Sequence, residues 1–192
     1  MSVDAKVFLW INGLGGHFPP LDRLISNLAN DYFVIVGFCL VLLFLWFGSR
    51  KGRESTINQT GVICASISLG LSQLVVYLIN VIYMRPRPFF SLPAHLLFYR
   101  PTDPSFPANS TTVIFAMAVA IFLWNKRVGI WMLLIAAFHG FARVYVGVHF
   151  PTDILAGAAI GTLMSVGVSI VVKKLDFLVQ KLLDFLRPYQ LS

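Results

Sequence analysis

Residues 154–172 read ILAGAAIGTLMSVGVSIVV, nineteen residues without an Asp, Glu, Lys, Arg or His. A helix of about 17 to 25 mostly apolar residues is enough to cross the hydrocarbon core of a bilayer. Four runs of the same kind precede it, at 32–47, 57–83, 108–124 and 128–148. The first and third are near the lower limit, and the second is long enough to tilt or to start outside the lipid. The whole chain of 192 residues is 57% apolar and only 12% charged, against roughly half and a quarter in a soluble domain. These features predict an all-α fold, an integral membrane helical bundle of five to six transmembrane helices, forming one domain over residues 1–192.

Outward from this run the sequence changes character. On its C-terminal side, Leu175, Leu178, Val179, Leu182, Phe185 and Leu186 recur at helical spacing on one face. Residues 175–192 are therefore expected as a cytoplasmic amphipathic tail, with a homo-oligomer contact as the alternative. Residues 1–31 hold two short apolar stretches, Val7 to Ile11 and Leu21 to Leu28, and predict an interfacial or shallowly inserted segment. Within the run itself, Gly157 and Gly161 lie one turn apart and predict close helix packing inside the bundle. Cys39 and Cys64 both fall in apolar runs and read as buried small residues rather than a disulfide framework.

The net charge of +7 does not point to nucleic acid, because the basic residues cluster at the ends of apolar runs. Arg50, Lys51 and Arg53 follow the first run, Lys126 and Arg127 the third, and Lys173 and Lys174 the fifth. All fall on one side, which the positive-inside rule makes cytoplasmic. Three segments then meet at the opposite, outer end: NVIYMRPRPFF (80–90), DPSFPANSTT (103–112) and HGFARVYVGVHFPTD (139–153).

Those segments carry the chemistry. His149 and Asp153 are four residues apart, so on a helix they share a face, where a carboxylate can fix the tautomer of an imidazole. Arg143 lies within an apolar run, where a guanidinium is expensive and usually functional, and it can clamp a phosphoryl group bidentately. Arg85 and Arg87 alternate with Pro86 and Pro88 on a stiff segment suited to aiming a cation. Asn109, Ser110 and Thr111 open an apolar helix, whose free N–H groups suit an anion; simple capping by Asn109 or Ser110 is the other reading.

These residues resemble the type 2 phosphatidic acid phosphatase superfamily. Its third signature, Ser-Arg, five residues, His, three residues, Asp, fits Ala142-Arg143, His149 and Asp153, with Ala for Ser. In the first signature Arg85-Pro86 matches and Leu78 stands at the lysine position. In the second, Pro107 matches, while Ala108 replaces serine and Ser110 replaces histidine. The Pro-Arg-Pro-Phe stretch is similar to the bacitracin-resistance type of undecaprenyl pyrophosphatase. The resemblance implies a lipid phosphatase in which His149 attacks phosphorus to form a phosphohistidine, Asp153 orients it, and Arg143 and Arg85 bind the phosphoryl oxygens. It implies no cofactor and no metal, a membrane lipid such as a polyprenyl pyrophosphate as the partner, and a bacterial inner or plasma membrane with the site facing the periplasm or exterior. A lipid monophosphatase and a non-catalytic binder or transporter of lipid phosphates are the alternatives. Because Ser110 stands where the family has its general acid, His139, which shares a helical face with Arg143, and His95 in the outer loop are substitutes to consider.

Overall fold

The computed structural model describes residues 1–48 and 52–186, and among them the regular structure is helical. The helices are α1 (Val3–Asn12), α2 (Pro19–Leu28), α3 (Phe33–Phe47), α4 (Arg53–Ile82), α5 (Pro88–Ser91), α6 (Asn109–Trp124), α7 (Lys126–Tyr145), α8 (Pro151–Lys174) and α9 (Asp176–Leu186). The five long apolar runs correspond to α3, α4, α6, α7 and α8. Three of these, α4, α7 and α8, are long and apolar enough to cross a membrane. A fourth span results if α2 and α3, bent by 50° at their junction, count as one. That is fewer than the five to six expected. By itself α3 has only 15 residues, and the expected boundary at residue 31 divides it from a partner helix that continues it.

Helix α6 is the axis of the bundle, packed by α4, α7 and α8. Its 16 residues rise about 24 Å, short of the ~30 Å hydrocarbon core. Enclosure explains how it serves: Ile114, Ala116, Met117, Ala118 and Ala120 are fully buried on several faces, so its neighbours, not α6, meet the lipid. The outer surface is apolar, unlike that of a soluble protein, and some polar side chains are buried. Phe44, Leu74, Ile82, Trp131, Leu155 and Leu163 face outward, while Ser68, Ser72, Thr112, Ser165 and Ser169 are buried. Inside the bundle Ser165 Oγ donates to the Ala116 carbonyl at 2.7 Å, an α8–α6 bond of the kind that holds helices together where hydrophobic burial cannot. Cys64 is buried as expected, but Cys39 lies on the outward face of α3 and is exposed.

The small-residue spacing on α8 does what it predicted. A Cβ on Gly157 would come within 2.7 Å of the Ala108 carbonyl oxygen, and one on Gly161 within 2.5 Å of the Thr112 carbonyl oxygen. Both contacts are with the α6 backbone, which has nowhere to go. Gly161→Val is expected to destabilise the protein by about 1–3 kcal/mol, read as a lower unfolding midpoint in a denaturing-detergent titration of the micellar protein.

The basic clusters gather at one end. Asn125 Nδ2 donates to Asn58 Oδ1 at 2.9 Å, and Lys173 Nζ lies 5.5 Å from the centre of the Trp124 ring. Arg53, Lys126, Arg127, Lys173 and Lys174 therefore share that end, while Arg50 and Lys51 lie outside the described residues. At the opposite end α1 packs against α7 and α8, with Phe8 against the Phe150 ring at 5.5 Å. Helix α9 seats Leu183 in the bundle beside α4 and α8; the rest of the predicted tail, 187–192, lies outside the described residues.

Candidate active site

The site forms where the chain leaves α7 and enters α8. Gly147 has φ +87°, a left-handed conformation that a side chain disfavours, and a Cβ there would meet the His95 carbonyl oxygen at 2.8 Å. This turn points His149 inward, where it is 1% exposed. Asn12 fixes the turn from outside, its Nδ2 donating to the carbonyls of His95 and Tyr145, both at 2.8 Å.

The ring of His149 has a defined proton arrangement. Nδ1 lies 2.9 Å from the Ser105 carbonyl oxygen, which can only accept, so Nδ1 carries the hydrogen. Nε2 then presents its lone pair. Arg87 Nη1 and Arg143 Nη2 donate to it at 3.2 and 3.1 Å. Burial, with both guanidinium charges acting in the same direction, pushes the His149 pKa down to about 4, against the opposing pull of Asp153. A neutral imidazole thus lies between two cations, its Nε2 lone pair held by both guanidinium groups where an anion could bind. Above about pH 4 the ring is therefore expected to stay neutral. A histidine-selective NMR titration should show His149 unprotonated at pH 5.5, and an inflection near 6.5 would contradict the assignment.

Asp153 does not sit where the i, i+4 spacing predicted. Its Oδ2 is 3.8 Å from His149 Nδ1, too far for a hydrogen bond, and it accepts instead from Ser105 Oγ at 2.5 Å and Phe150 N at 2.9 Å. The carboxylate thus holds the residue whose carbonyl holds the imidazole. The reason is local: His149 precedes α8 in non-helical backbone, so a face shared on an ideal helix does not apply.

The two arginines of the Arg-Pro-Arg-Pro segment divide their tasks. Arg87 is 2% exposed and bonds His149, the Val148 carbonyl oxygen at 2.9 Å and Asp103 Oδ1 at 2.8 Å. Arg85, expected to bind phosphoryl oxygens beside Arg143, is elsewhere. Its Nη1 pairs with Asp153 Oδ1 and its Nη2 with Asp4 Oδ2, each at 2.6 Å, and it stacks on Phe150 at 4.1 Å. Its charge is spent on two carboxylates. The Arg-Pro that meets the imidazole is Arg87-Pro88.

Arg143 and His139, one turn apart on α7, share an anchor. The last carbonyls of α2 have no helical partners. Leu28 O accepts from His139 Nδ1 at 2.9 Å, and Ala29 O from Arg143 Nη1 at 3.0 Å. Arg143 Nη1 also pairs with Asp31 at 2.6 Å, while its Nε is buried without a partner among the described residues. Asp31 in turn accepts from the Tyr99 hydroxyl, and burial, reinforced by that bond, raises the Tyr99 pKa to about 12.

These groups enclose a cavity of about 400 Å³ lined in part by Asp31, Tyr99, Asp103, Ser110, Arg143 and His149. Asn109 and Gln73 also line it, and Gln73 Nε2 is a buried donor without a partner among the described residues. Helix α6 begins at its wall with Ala108 as N-cap and no side-chain cap, so the capping expected of Asn109 or Ser110 is not made and the first-turn N–H groups remain available. Among the described residues the lining includes neither Thr111, whose Oγ1 is buried within the bundle, nor His95, whose backbone N–H is held by Asn12. Nothing local in the sequence marks Asp31 or Gln73 as site residues, whereas Asp103 and Ser105 carry a signal through their place in DPSFPANSTT.

A family model described as the PAP2 superfamily matches residues 61–177. Over 189 residues the chain is 32% identical to undecaprenyl-diphosphatase BcrC of Bacillus subtilis (strain 168), covering 97% of this chain and 88% of that protein. It is also 32% identical over 186 residues to a Bacillus licheniformis protein named bacitracin transport permease protein BcrC, covering 95% and 86%. The crystal structure of Aquifex aeolicus LpxE superposes with a TM-score of 0.71 at 28% identity, covering 88% of this chain and 95% of that one.

Proposed function

We propose, on the premise that the chain belongs to the PAP2 superfamily, that this membrane lipid phosphatase hydrolyses a polyprenyl diphosphate to the monophosphate through a phosphohistidine on His149. One observation carries the reading: the unprotonated Nε2 of His149 faces two guanidinium groups at 3.2 and 3.1 Å. On substrate binding, the terminal phosphoryl group takes up the hydrogen bonds that Arg87 and Arg143 now give to the ring. Nε2 attacks phosphorus and the P–O bond to the lipid monophosphate breaks. Arg143 Nε and the uncapped first turn of α6 supply further donors for charge developing on the phosphoryl oxygens. Water then hydrolyses the phosphohistidine, and no metal is required. Asp153 and Arg85 keep Ser105, and through it the imidazole, in place.

A diphosphate is favoured over a monoester because of what stands at the second signature. A phosphate leaving group, with a second pKa of about 6, departs with little proton assistance, whereas an alkoxide needs a strong general acid, which the Ser110 hydroxyl is not. The site lies at the end away from the basic clusters, which supports a periplasmic or exterior face on a bacterial plasma membrane. The test is release of inorganic phosphate from a polyprenyl diphosphate in detergent with a metal chelator present, together with acid-labile, base-stable labelling of the chain by substrate carrying labelled terminal phosphate. Saturable binding without turnover or labelling would instead establish the lipid-phosphate binder or transporter.

A further inference from the structure

The position where the second signature carries histidine holds Ser110, yet an imidazole stands directly behind it. His139 is fully buried, and its Nε2 lies 3.3 Å from Ser110 Oγ. Its tautomer is fixed as that of His149 is. Nδ1 faces the Leu28 carbonyl oxygen at 2.9 Å and must donate, which leaves Nε2 to accept the Ser110 hydroxyl proton. Ser110 lines the catalytic cavity together with His149, and His139 does not. The serine therefore separates the buried imidazole from the reacting groups. The charged groups facing His139 are Arg143, one turn along the same helix, and Asp31, which Arg143 pairs with at 2.6 Å. The ring sits beside a compensated pair rather than a lone cation.

We propose that Ser110 and His139 form a proton relay that replaces the missing histidine, an inference that rests on the phosphohistidine reading above. When water attacks the phosphohistidine, Ser110 Oγ takes one proton from it while its own hydroxyl proton passes to His139 Nε2. The new O–P bond forms, the P–N bond breaks, and its electron pair returns to Nε2 of His149. In the next cycle the proton on His139 returns through Ser110 to the lipid monophosphate as that group is expelled. Protons balance over the two half-reactions: one water is consumed, and its two hydrogens end on the two phosphate products. Ser110 touches the reacting atoms, whereas His139 acts through it. The relay bears mainly on the dephosphorylation step, where the attacking water must give up a proton to a general base.

The test uses the full chain in detergent, with a polyprenyl diphosphate carrying labelled terminal phosphate. His139→Asn keeps a donor for the Leu28 carbonyl but cannot take up a proton, and Ser110→Ala removes the relay from the other end. Each variant is expected to lower steady-state turnover by about 10²-fold or more, the ordinary worth of general acid–base catalysis, while labelled phosphohistidine accumulates above the wild-type level. Adding Ser110→His to His139→Asn is expected to restore most of the turnover, because the imidazole then sits at the cavity itself. Wild-type turnover in His139→Asn overturns the relay. So does parallel loss of labelling and turnover without rescue by Ser110→His, which marks a structural role. Absence of labelling in the wild-type enzyme during turnover overturns the phosphohistidine reading itself and is distinguishable from both.

Discussion

With His149 as the proposed nucleophile, His149→Ala is expected to lower phosphate release from a polyprenyl diphosphate by roughly four to six orders of magnitude, the scale on which deletion of a covalent nucleophile acts. The effect is chemical rather than architectural. The ring makes one hydrogen bond to backbone, at Ser105, and its other nitrogen accepts from Arg87 and Arg143. Both guanidiniums keep further partners, in Asp103 and Asp31, so the anion site survives removal of the ring. Binding of inorganic phosphate to the variant should be retained or tightened, because two donors are released from Nε2. Titration calorimetry with phosphate and a turnover assay on one preparation check both halves. Residual activity above a few per cent of wild type would remove His149 from the role of nucleophile.

The second large effect is expected at Asp153, through structure as well as chemistry. The carboxylate is fully buried and satisfies Arg85, Ser105 Oγ and the Phe150 N–H. Asp153→Ala leaves two buried donors without their acceptor, at a cost of about 1–3 kcal/mol for each, and leaves Arg85 with Asp4 as its carboxylate partner. It also frees Ser105, whose carbonyl sets the His149 tautomer. A displacement of about 1 Å at a reacting group can cost 10²-fold, so turnover should fall at least that far in protein that is still folded. Asp153→Asn retains an acceptor for Ser105 or Phe150 but loses the pair with Arg85, and it should be intermediate on both scales. Detergent unfolding midpoints and turnover of the three proteins test this ordering. Equal stability in Asp153→Ala and wild type would show that the buried cluster does not hold the site together.

How far the site was legible in the sequence differs residue by residue. Arg143 could be singled out because a guanidinium in an apolar run is costly, and it does meet His149. His139 could be placed on the same helical face, though its contact with Ser110 joins α7 to α6 and has no local signal. Arg85 and Arg87 show where sequence runs out. Each is followed by proline, and two residues apart on an extended segment they are chemically equivalent. What separates them is the carboxylate each finds: Asp103 in its own loop for Arg87, and Asp4 and Asp153 for Arg85. Asp31 and Asp4 belong to the N-terminal region, where a single acidic residue in the first turn of a short helix or just after one looks like any solvated side chain.

Hydrophobic run length, the spacing of Gly157 and Gly161 and the placement of basic residues determine by themselves that this chain is a helical membrane bundle with its polar segments gathered at one end. Those properties follow from the cost of exposing polar backbone and charge to lipid, which acts on each segment separately. Tertiary structure decided which polar groups touch. It put the Ser105 carbonyl, and not Asp153, on His149 Nδ1, brought Arg87 rather than Arg85 to Nε2, and set His139 behind Ser110. Hydrogen bonds and ion pairs depend on distances of a few tenths of an ångström between elements far apart in the chain, and local sequence does not carry those distances.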